Sequence, residues 1–215
     1  MPTTTPTTDN AHSDMPNVQA LLDQARGGDE VATGRLLEVY TKYFKLLARV
    51  QIGRRLQGKV DASDIVQETF LEAHRQMPNF RGVTEAELLA WLRRILAGQI
   101  ALNLRRYLGT KRRDVKLERE LVAQVDESSQ MMNGPFLAAS QSTPSQHASR
   151  REQAVLLAEA LSQLSEDYRE VIILRHLEGL TFPEVAARMN RSEDSVQKLW
   201  VRSLANLRRV LGGSR

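Results

Sequence analysis

A group of acidic side chains could do chemistry in the segment DASDIVQETFLEAHR, which we expect to form one helix. Asp64 and Glu68 are four residues apart, so a helix places both carboxylates on one face, where they could bind a metal ion or act as a general acid. Leu71 interrupts this face, and an apolar side chain among carboxylates suits docking of a basic partner better. A plain solvated face is the alternative. The face comprises Asp61, Asp64, Gln67, Glu68, Leu71 and Glu72.

No second feature of the sequence supports catalysis. The four histidines are scattered without ligand spacing, and the absence of cysteine excludes thiolate metal sites and disulfides. Neither a glycine-rich phosphate loop nor a nucleophile elbow is present. We therefore predict no catalytic residue, no metal site, no cofactor and no enzymatic activity.

A second group is basic and extends from Trp91 to Arg113, a stretch without any Asp or Glu. Ordinary soluble helices intersperse both signs of charge, so this pattern favours contact with phosphates over a merely soluble surface. The basic residues are Arg93, Arg94, Arg105, Arg106, Lys111, Arg112 and Arg113.

The loop PNFRG precedes this basic helix and contains Asn79, Phe80 and Arg81. An aromatic ring and an arginine beside a basic helix suit a stacked, unpaired base. A simple turn with Phe80 tucked inward is an equally good interpretation of the ring.

The segment LEGLTFPEVAARMNRSEDSVQKLWVRSLANL predicts two short helices joined by a tight turn. Thr181 and Glu184 have the capping-box spacing, and Pro183 lies in the first turn of a helix from about Phe182 to Met189. Ser192 then caps a second helix. This order is typical of a helix-turn-helix, although helical hairpins with a solvated face are also common. The predicted DNA-binding residues are Arg191, Ser192, Ser195, Gln197, Lys198 and Arg202.

The predicted fold is all-α, with two small helical domains joined by a flexible linker. The chain has 215 residues, 41% of them hydrophobic, and a net charge of +4, which favours an anionic partner. We expect a disordered tail over 1–16, an N-terminal helical bundle over 17–114, a linker over 115–149, and a four-helix domain with the helix-turn-helix over 150–212. Within the linker, Val115 to Gln124 could extend a helix, and 126–149 is rich in Ser, Gln, Met and Pro. No apolar run reaches transmembrane length and no signal peptide is visible, so we predict a cytoplasmic protein without membrane insertion.

The motifs DIVQETF, PNFRG and AWLRRI, followed by the C-terminal helix-turn-helix, resemble the bacterial RNA polymerase sigma factors of the sigma-70 family. The small two-domain, extracytoplasmic-function type is the most similar, over about 18–113 and 150–211. The chain departs from the family at Gly98, where Asn is usual, and near Leu102, where the family usually has an Asp, so the individual contacts to the −10 element stay open.

The resemblance implies a role for each surface. The acidic face corresponds to the part that docks on the basic clamp helices of the largest subunit of core RNA polymerase. The PNFRG loop and the basic helix correspond to the part that melts promoter DNA and captures a flipped base of the −10 element. The second helix of the helix-turn-helix corresponds to the reader of the −35 element, and an anti-sigma factor is a typical further partner.

The main alternative is a helix-turn-helix regulator with an N-terminal sensing domain. Such a protein would bind a duplex operator without polymerase, often as a dimer, and would need no acidic docking face. Transcription that depends on adding the chain to core polymerase would distinguish the two.

Overall fold

The computed structural model describes residues 17–53, 60–108, 115–132 and 146–213, and all regular structure in these ranges is helical. This confirms the all-α prediction. The predicted tail over 1–16 lies outside the described residues, as do Lys111, Arg112 and Arg113. In chain order the helices are α1 Val18–Arg26, α2 Glu30–Val39, α3 Thr41–Gly53, α4 Ala62–Gln76, α5 Glu85–Leu108, α6 Val115–Met132, α7 Gln146–Ser162, α8 Glu166–Ile172, α9 Phe182–Met189 and α10 Glu193–Gly213.

Helices α1 to α5 surround one apolar core. Phe44 of α3 is fully buried and makes an edge-on contact with Phe70 of α4, with ring centroids 5.8 Å apart. Tyr40 lies between α2 and α3, where its hydroxyl donates a 2.7 Å hydrogen bond to Glu85. The buried residues that complete this core include Leu36, Leu47, Ile65, Val66, Leu88, Leu92, Leu96 and Ile100.

Helix α6 occupies the first half of the segment that the sequence assigned to a linker. Leu121, Val125 and Met132 are fully buried, and they recur at helical spacing with the buried Ser128 and Ser129. The serine-rich composition suggested a linker, but small hydroxyl side chains fit a helix interface when their hydrogen bonds are satisfied. The connection between the halves therefore begins with a helix, and the residues that follow it, 133–145, lie outside the described residues.

The C-terminal half forms around α8 and α10. Helix α8 continues as a π-helical turn, Ile173–Leu177, whose apolar side chains are buried and which contacts α9 and α6. Gly179 has a φ of 74°, a left-handed conformation that favours glycine, and it separates this turn from α9.

The helices before residue 133 contact α7 to α10 mainly through α3 and α7, and α6 also contacts α7 and the π-helical turn. Lys42 lies 2.6 Å from Glu159, and Arg49 pairs with Glu166 at 3.0 Å and with Glu170. Arg188 donates a 3.2 Å hydrogen bond to the carbonyl of Gly53. Two of these links are exposed ion pairs, which contribute about 0–1 kcal/mol each, whereas the pair between Arg49 and Glu170 is half-buried.

Gly82 is required by the close approach of the loop backbone to the ring of Phe80. A Cβ atom at this position would lie 2.9 Å from Cε2 of Phe80 and 2.8 Å from Cβ of Glu87. We expect Gly82→Ala to lower the free energy of unfolding by about 1–3 kcal/mol, since overpacking forces neighbouring groups to move. Urea denaturation measures the change.

Gly34→Ala is the matched control, because no heavy atom lies within 4 Å of a Cβ there and the position is helical. Its expected effect is neutral, or stabilising by up to about 1 kcal/mol through helix propensity. A Gly82→Ala protein as stable as the Gly34→Ala protein would contradict the packing of this loop.

Candidate nucleic-acid and partner interfaces

The acidic face of α4 points to solvent. Asp64, Gln67 and Leu71 are all exposed, and Leu71 keeps 64% of its surface accessible. The opposite side of α4 is buried through Ile65, Val66, Thr69 and Ala73. The periodicity of the segment thus separates an inner stripe from an outer face that carries both charge and an apolar side chain.

The other acidic residues of this face make local contacts. Asp61 is the N-cap of α4 and accepts a 2.8 Å hydrogen bond from the backbone N–H of Ser63. Glu68 accepts a 3.0 Å hydrogen bond from Asn103, and Glu72 lies 2.8 Å from Arg75. Among the residues that the structure describes, these carboxylates do not gather into a group that could hold a metal ion.

The basic face of α5 is largely neutralised by acids from other helices. Arg93 pairs with Asp126 of α6 at 2.5 Å, and Arg105 lies 3.5 Å from Glu118 of the same helix. These two arginine side chains are only 17% and 19% exposed, so in this conformation their charges face Asp126 and Glu118 rather than solvent. The run of basic residues from Trp91 to Arg113 did not reveal these ion pairs, because Asp126 and Glu118 belong to α6, which follows α5 in the chain.

Three other residues at this face are accessible. Arg94 is exposed, and Arg106 is 58% exposed with Glu68 at 3.6 Å. Tyr107 follows it with 53% of its surface exposed, and the predictions from the sequence did not include this aromatic ring although it lies in the basic run.

Gly98 lies halfway along α5, and no heavy atom is within 4 Å of a Cβ built there. No close packing requires the glycine, so it lowers the helix stability of α5 locally.

The Phe80 side chain is buried, which agrees with the inward-tucked turn and not with a ring open for base stacking, the two interpretations that the sequence left open. It is 9% exposed, and its centroid lies 4.8 Å from that of Trp91. The ring can enter the core because Gly82 lets the backbone fold over it. Asn79 and Arg81 on either side of Phe80 are exposed, so the loop presents polar side chains to solvent while its aromatic ring is buried.

The helix-turn-helix begins as the sequence predicts. The backbone N–H and the hydroxyl of Thr181 each donate a 2.7 Å hydrogen bond to Glu184, which lowers the pKa of that carboxyl. Asn190 ends α9 in the left-handed conformation, with a φ of 52°. The hydroxyl of Ser192 then accepts a 3.3 Å hydrogen bond from the N–H of Ser195 at the start of α10.

The outer face of α10 is open to solvent. Lys198 is exposed and pairs with Asp194 at 2.7 Å, Gln197 donates to Glu193 at 3.2 Å, and Arg202 is exposed one turn further on. Arg191 lies 2.7 Å from Asp167, again on the surface. Such exposed pairs contribute about 0–1 kcal/mol, so a phosphate can replace the carboxylate at little cost. Ser195 is half-buried and Ser192 is exposed.

Trp200 fixes α10 against the rest of the C-terminal half. Its Nε1 donates a 2.7 Å hydrogen bond to Nε2 of His176, and Phe182 packs edge-on against it at 5.6 Å. Burial, followed by the charge of Arg175, lowers the pKa of His176 from 6.5 to about 4. The imidazole is therefore neutral at physiological pH and can accept the hydrogen bond.

This arrangement predicts a pH-dependent stability. The pKa of His176 is lower in the folded chain than in the unfolded chain, so the unfolded state binds more protons between pH 6.5 and about 4. The contribution of His176 is complete above pH 6.5 and is lost as the pH falls towards 4. Thermal unfolding should show a smaller pH dependence in this window for His176→Gln than for the wild type. Parallel curves for the two proteins would contradict the assignment.

Both halves of the chain match models of one protein family. Sigma-70 region 2 matches residues 39–108, and sigma-70, region 4 matches residues 154–207. The ECF RNA polymerase sigma factor BldN of Streptomyces coelicolor is 29% identical over 207 residues, which cover 94% of this chain and 68% of that protein. The ECF RNA polymerase sigma-E factor of Escherichia coli K12 is 30% identical over 176 residues, with coverages of 80% and 82%. The solved structure of CnrH in complex with the cytosolic domain of CnrY matches at 26% identity with a TM-score of 0.33, covering 92% of this chain and 99% of that one.

The chain therefore belongs to the sigma-70 family of RNA polymerase sigma factors. Within the family it is of the extracytoplasmic-function type, as the motifs in the sequence indicate. It binds core RNA polymerase and promoter DNA, and it directs promoter recognition and the initiation of transcription. Over the described ranges, no helix combines the length and apolar character needed to span a membrane.

Proposed function

We propose that the outer face of α4 is the surface that binds core RNA polymerase. Asp64, Gln67 and Leu71 form its accessible centre, and Glu68 and Glu72 add negative charge beside it. Asp61 contributes by capping the helix. A basic pair of clamp helices would meet complementary charge here and would bury Leu71, whose exposure is otherwise unfavourable.

We further propose that the loop before α5 and the accessible part of α5 contact the −10 element. Asn79 and Arg81 flank the buried ring of Phe80, while Arg94 and Arg106 approach the phosphates. Tyr107, rather than Phe80, supplies an aromatic ring that an unpaired base can reach. Unstacking a base costs a few kcal/mol, which capture of the flipped base offsets.

The −35 element is assigned to the N-terminal half of α10. The exposed outer face of α10 enters the major groove, where Gln197, Lys198 and Arg202 reach base edges and phosphates. Arg191, Ser192 and Ser195 contact the DNA backbone beside the groove. The duplex reader and the melting surface then act together, because polymerase fixes their separation.

The domain organisation follows from these roles. Residues 17–114 carry the polymerase and −10 surfaces, 115–149 connect the halves and begin with α6, and 150–212 carry the −35 reader. The polymerase carries out catalysis, so the chain needs no cofactor or metal ion. It acts in the cytoplasm, and an anti-sigma factor is the expected regulator there.

One observation carries the assignment of surfaces: a single chain exposes an acidic face with an apolar centre on α4 and a basic face on α10. A regulator that binds DNA alone would need only the second. Adding the purified chain to core polymerase should give transcripts that start at a defined promoter. Tight binding to a duplex operator without any polymerase-dependent transcript would instead favour the regulator.

A further inference from the structure

Helix α6 covers the side of the N-terminal half where the basic face of α5 meets α3. Leu121, Val125 and Met132 supply the buried apolar contact. Asp126 and Glu118 reach Arg93 and Arg105, and these are the two most covered basic residues of the described part of α5. An acidic side chain thus occupies the place that a DNA phosphate would take at each arginine.

The centre of this contact is polar. The hydroxyl groups of Tyr43 and Ser129 are 2.8 Å apart and buried, and Gln51 donates to the hydroxyl of Ser128 at 2.9 Å. In the part of the chain that the structure describes, Oε1 of Gln51 is buried without a hydrogen-bond partner. Gln51 also donates a 3.1 Å hydrogen bond to the carbonyl of Gln124, so Oε1 is the unpaired atom of an otherwise bonded contact. Water would satisfy it in an open state, which favours separation of α6 relative to a fully satisfied contact.

We propose that α6 is an intramolecular mask, which covers Arg93 and Arg105 in the free chain and leaves them when promoter DNA binds. This inference rests on the proposed role of α5 in contacting the −10 element. The free chain then has a weakened affinity for DNA, because phosphates must compete with carboxylates on the same polypeptide. Binding of promoter DNA exposes both arginines and releases α6 into the connection between the halves.

The proposed mask predicts how the affinity for DNA depends on salt concentration. Each phosphate contact adds about 0.7 to the slope of log affinity against log salt for single-stranded DNA. Two unmasked arginines should therefore steepen the slope by about 1.4. The probe is a labelled single-stranded DNA of mixed sequence, and fluorescence anisotropy measures its binding to the full chain between about 50 and 200 mM salt.

The decisive variant is Glu118→Gln with Asp126→Asn, which removes both masking charges. Its matched control is Glu120→Gln with Glu127→Gln, since these acids lie on the same helix, are exposed and change the net charge equally. We expect the unmasked variant to bind about tenfold more tightly than the control and with the steeper slope. Equal affinities and slopes for the two variants would overturn the mask.

Hydrogen exchange of the wild-type chain tests the release without any substitution. The amides of α6 should be protected in the free chain and should lose at least about tenfold of that protection in a complex with core polymerase and promoter DNA. Unchanged protection would show that α6 is a permanent part of the fold, and the proposal would fail.

A third variant separates failure of the mask from failure of the proposed function. Arg94→Ala with Arg106→Ala removes accessible cations of α5 that α6 does not cover. If this variant opens a promoter with core polymerase as well as the wild type does, the DNA role of α5 is wrong and the mask falls with it. If opening is impaired but the α6 variants behave alike, only the mask is wrong.

Discussion

Asp64→Arg is expected to weaken binding of the chain to core RNA polymerase at least about tenfold, which corresponds to about 1.4 kcal/mol. The carboxylate is exposed on α4, and its neighbours on the outer face are acidic or neutral. Reversal of its charge removes one attraction to a basic partner and adds one repulsion, and each contributes about 1 kcal/mol or more at contact distance in solvent. Titration of labelled core polymerase with each variant at moderate salt measures the affinity.

Glu38→Arg is the matched control for Asp64→Arg. Glu38 is an exposed acid on α2, outside the proposed docking face, and its reversal changes the net charge by the same amount. Its affinity should stay within about twofold of the wild type, because the general electrostatic term is screened by salt. Equal losses for the two variants, or no loss for Asp64→Arg with the fold intact by circular dichroism, would place the polymerase surface elsewhere.

Arg202→Glu is expected to reduce transcription from a promoter with a −35 element at least about tenfold. The side chain is exposed on the outer face of α10, one turn beyond Lys198, where it reaches a phosphate or a base edge. The substitution replaces an attractive charge with a repulsive one beside the DNA, and a single specific contact contributes about 1–3 kcal/mol. Transcription from a promoter selected in vitro with the reconstituted holoenzyme measures the loss.

The control for this prediction is Arg208→Glu, an exposed arginine six residues further along α10, about 9 Å along the helix axis. Its effect should be small, because the helix N-terminal half enters the groove. A promoter without the −35 element should respond weakly to either variant. If Arg208→Glu were the more damaging substitution, the orientation of α10 in the groove would be reversed.

Local signals made the C-terminal half predictable from the sequence. The Thr181 and Glu184 cap, the break at Gly179 and the apolar stripe of α10 each act over a few residues, and the structure has them all. The outer face of α4 was predictable for the same reason, since a strong helical period separates Ile65 and Val66 from Asp64 and Gln67.

Contacts between distant residues were not predictable in this way. Arg93 and its partner Asp126 are 33 residues apart, so the unbroken basic run of α5 suggested an open surface that the fold partly closes. A helix over Val115 to Gln124 was open from the sequence, but the rest of α6 was not, because composition assigns its serines to a linker although Ser128 and Ser129 are buried. The position of Phe80 depends on how closely the backbone of Gly82 approaches the ring, and this distance cannot be predicted from the spacing of residues along the chain.

The central claim is that one chain joins a polymerase-binding face on α4 to a promoter-reading face on α10. Transcription by core polymerase with Asp64→Arg and Arg202→Glu proteins, each alone and both mixed, tests it most directly. We predict a promoter-specific transcript with the wild type, and little with either variant or with the mixture. A mixture that restores the transcript to the wild-type level would show that the two faces act on separate molecules, and it would contradict the account.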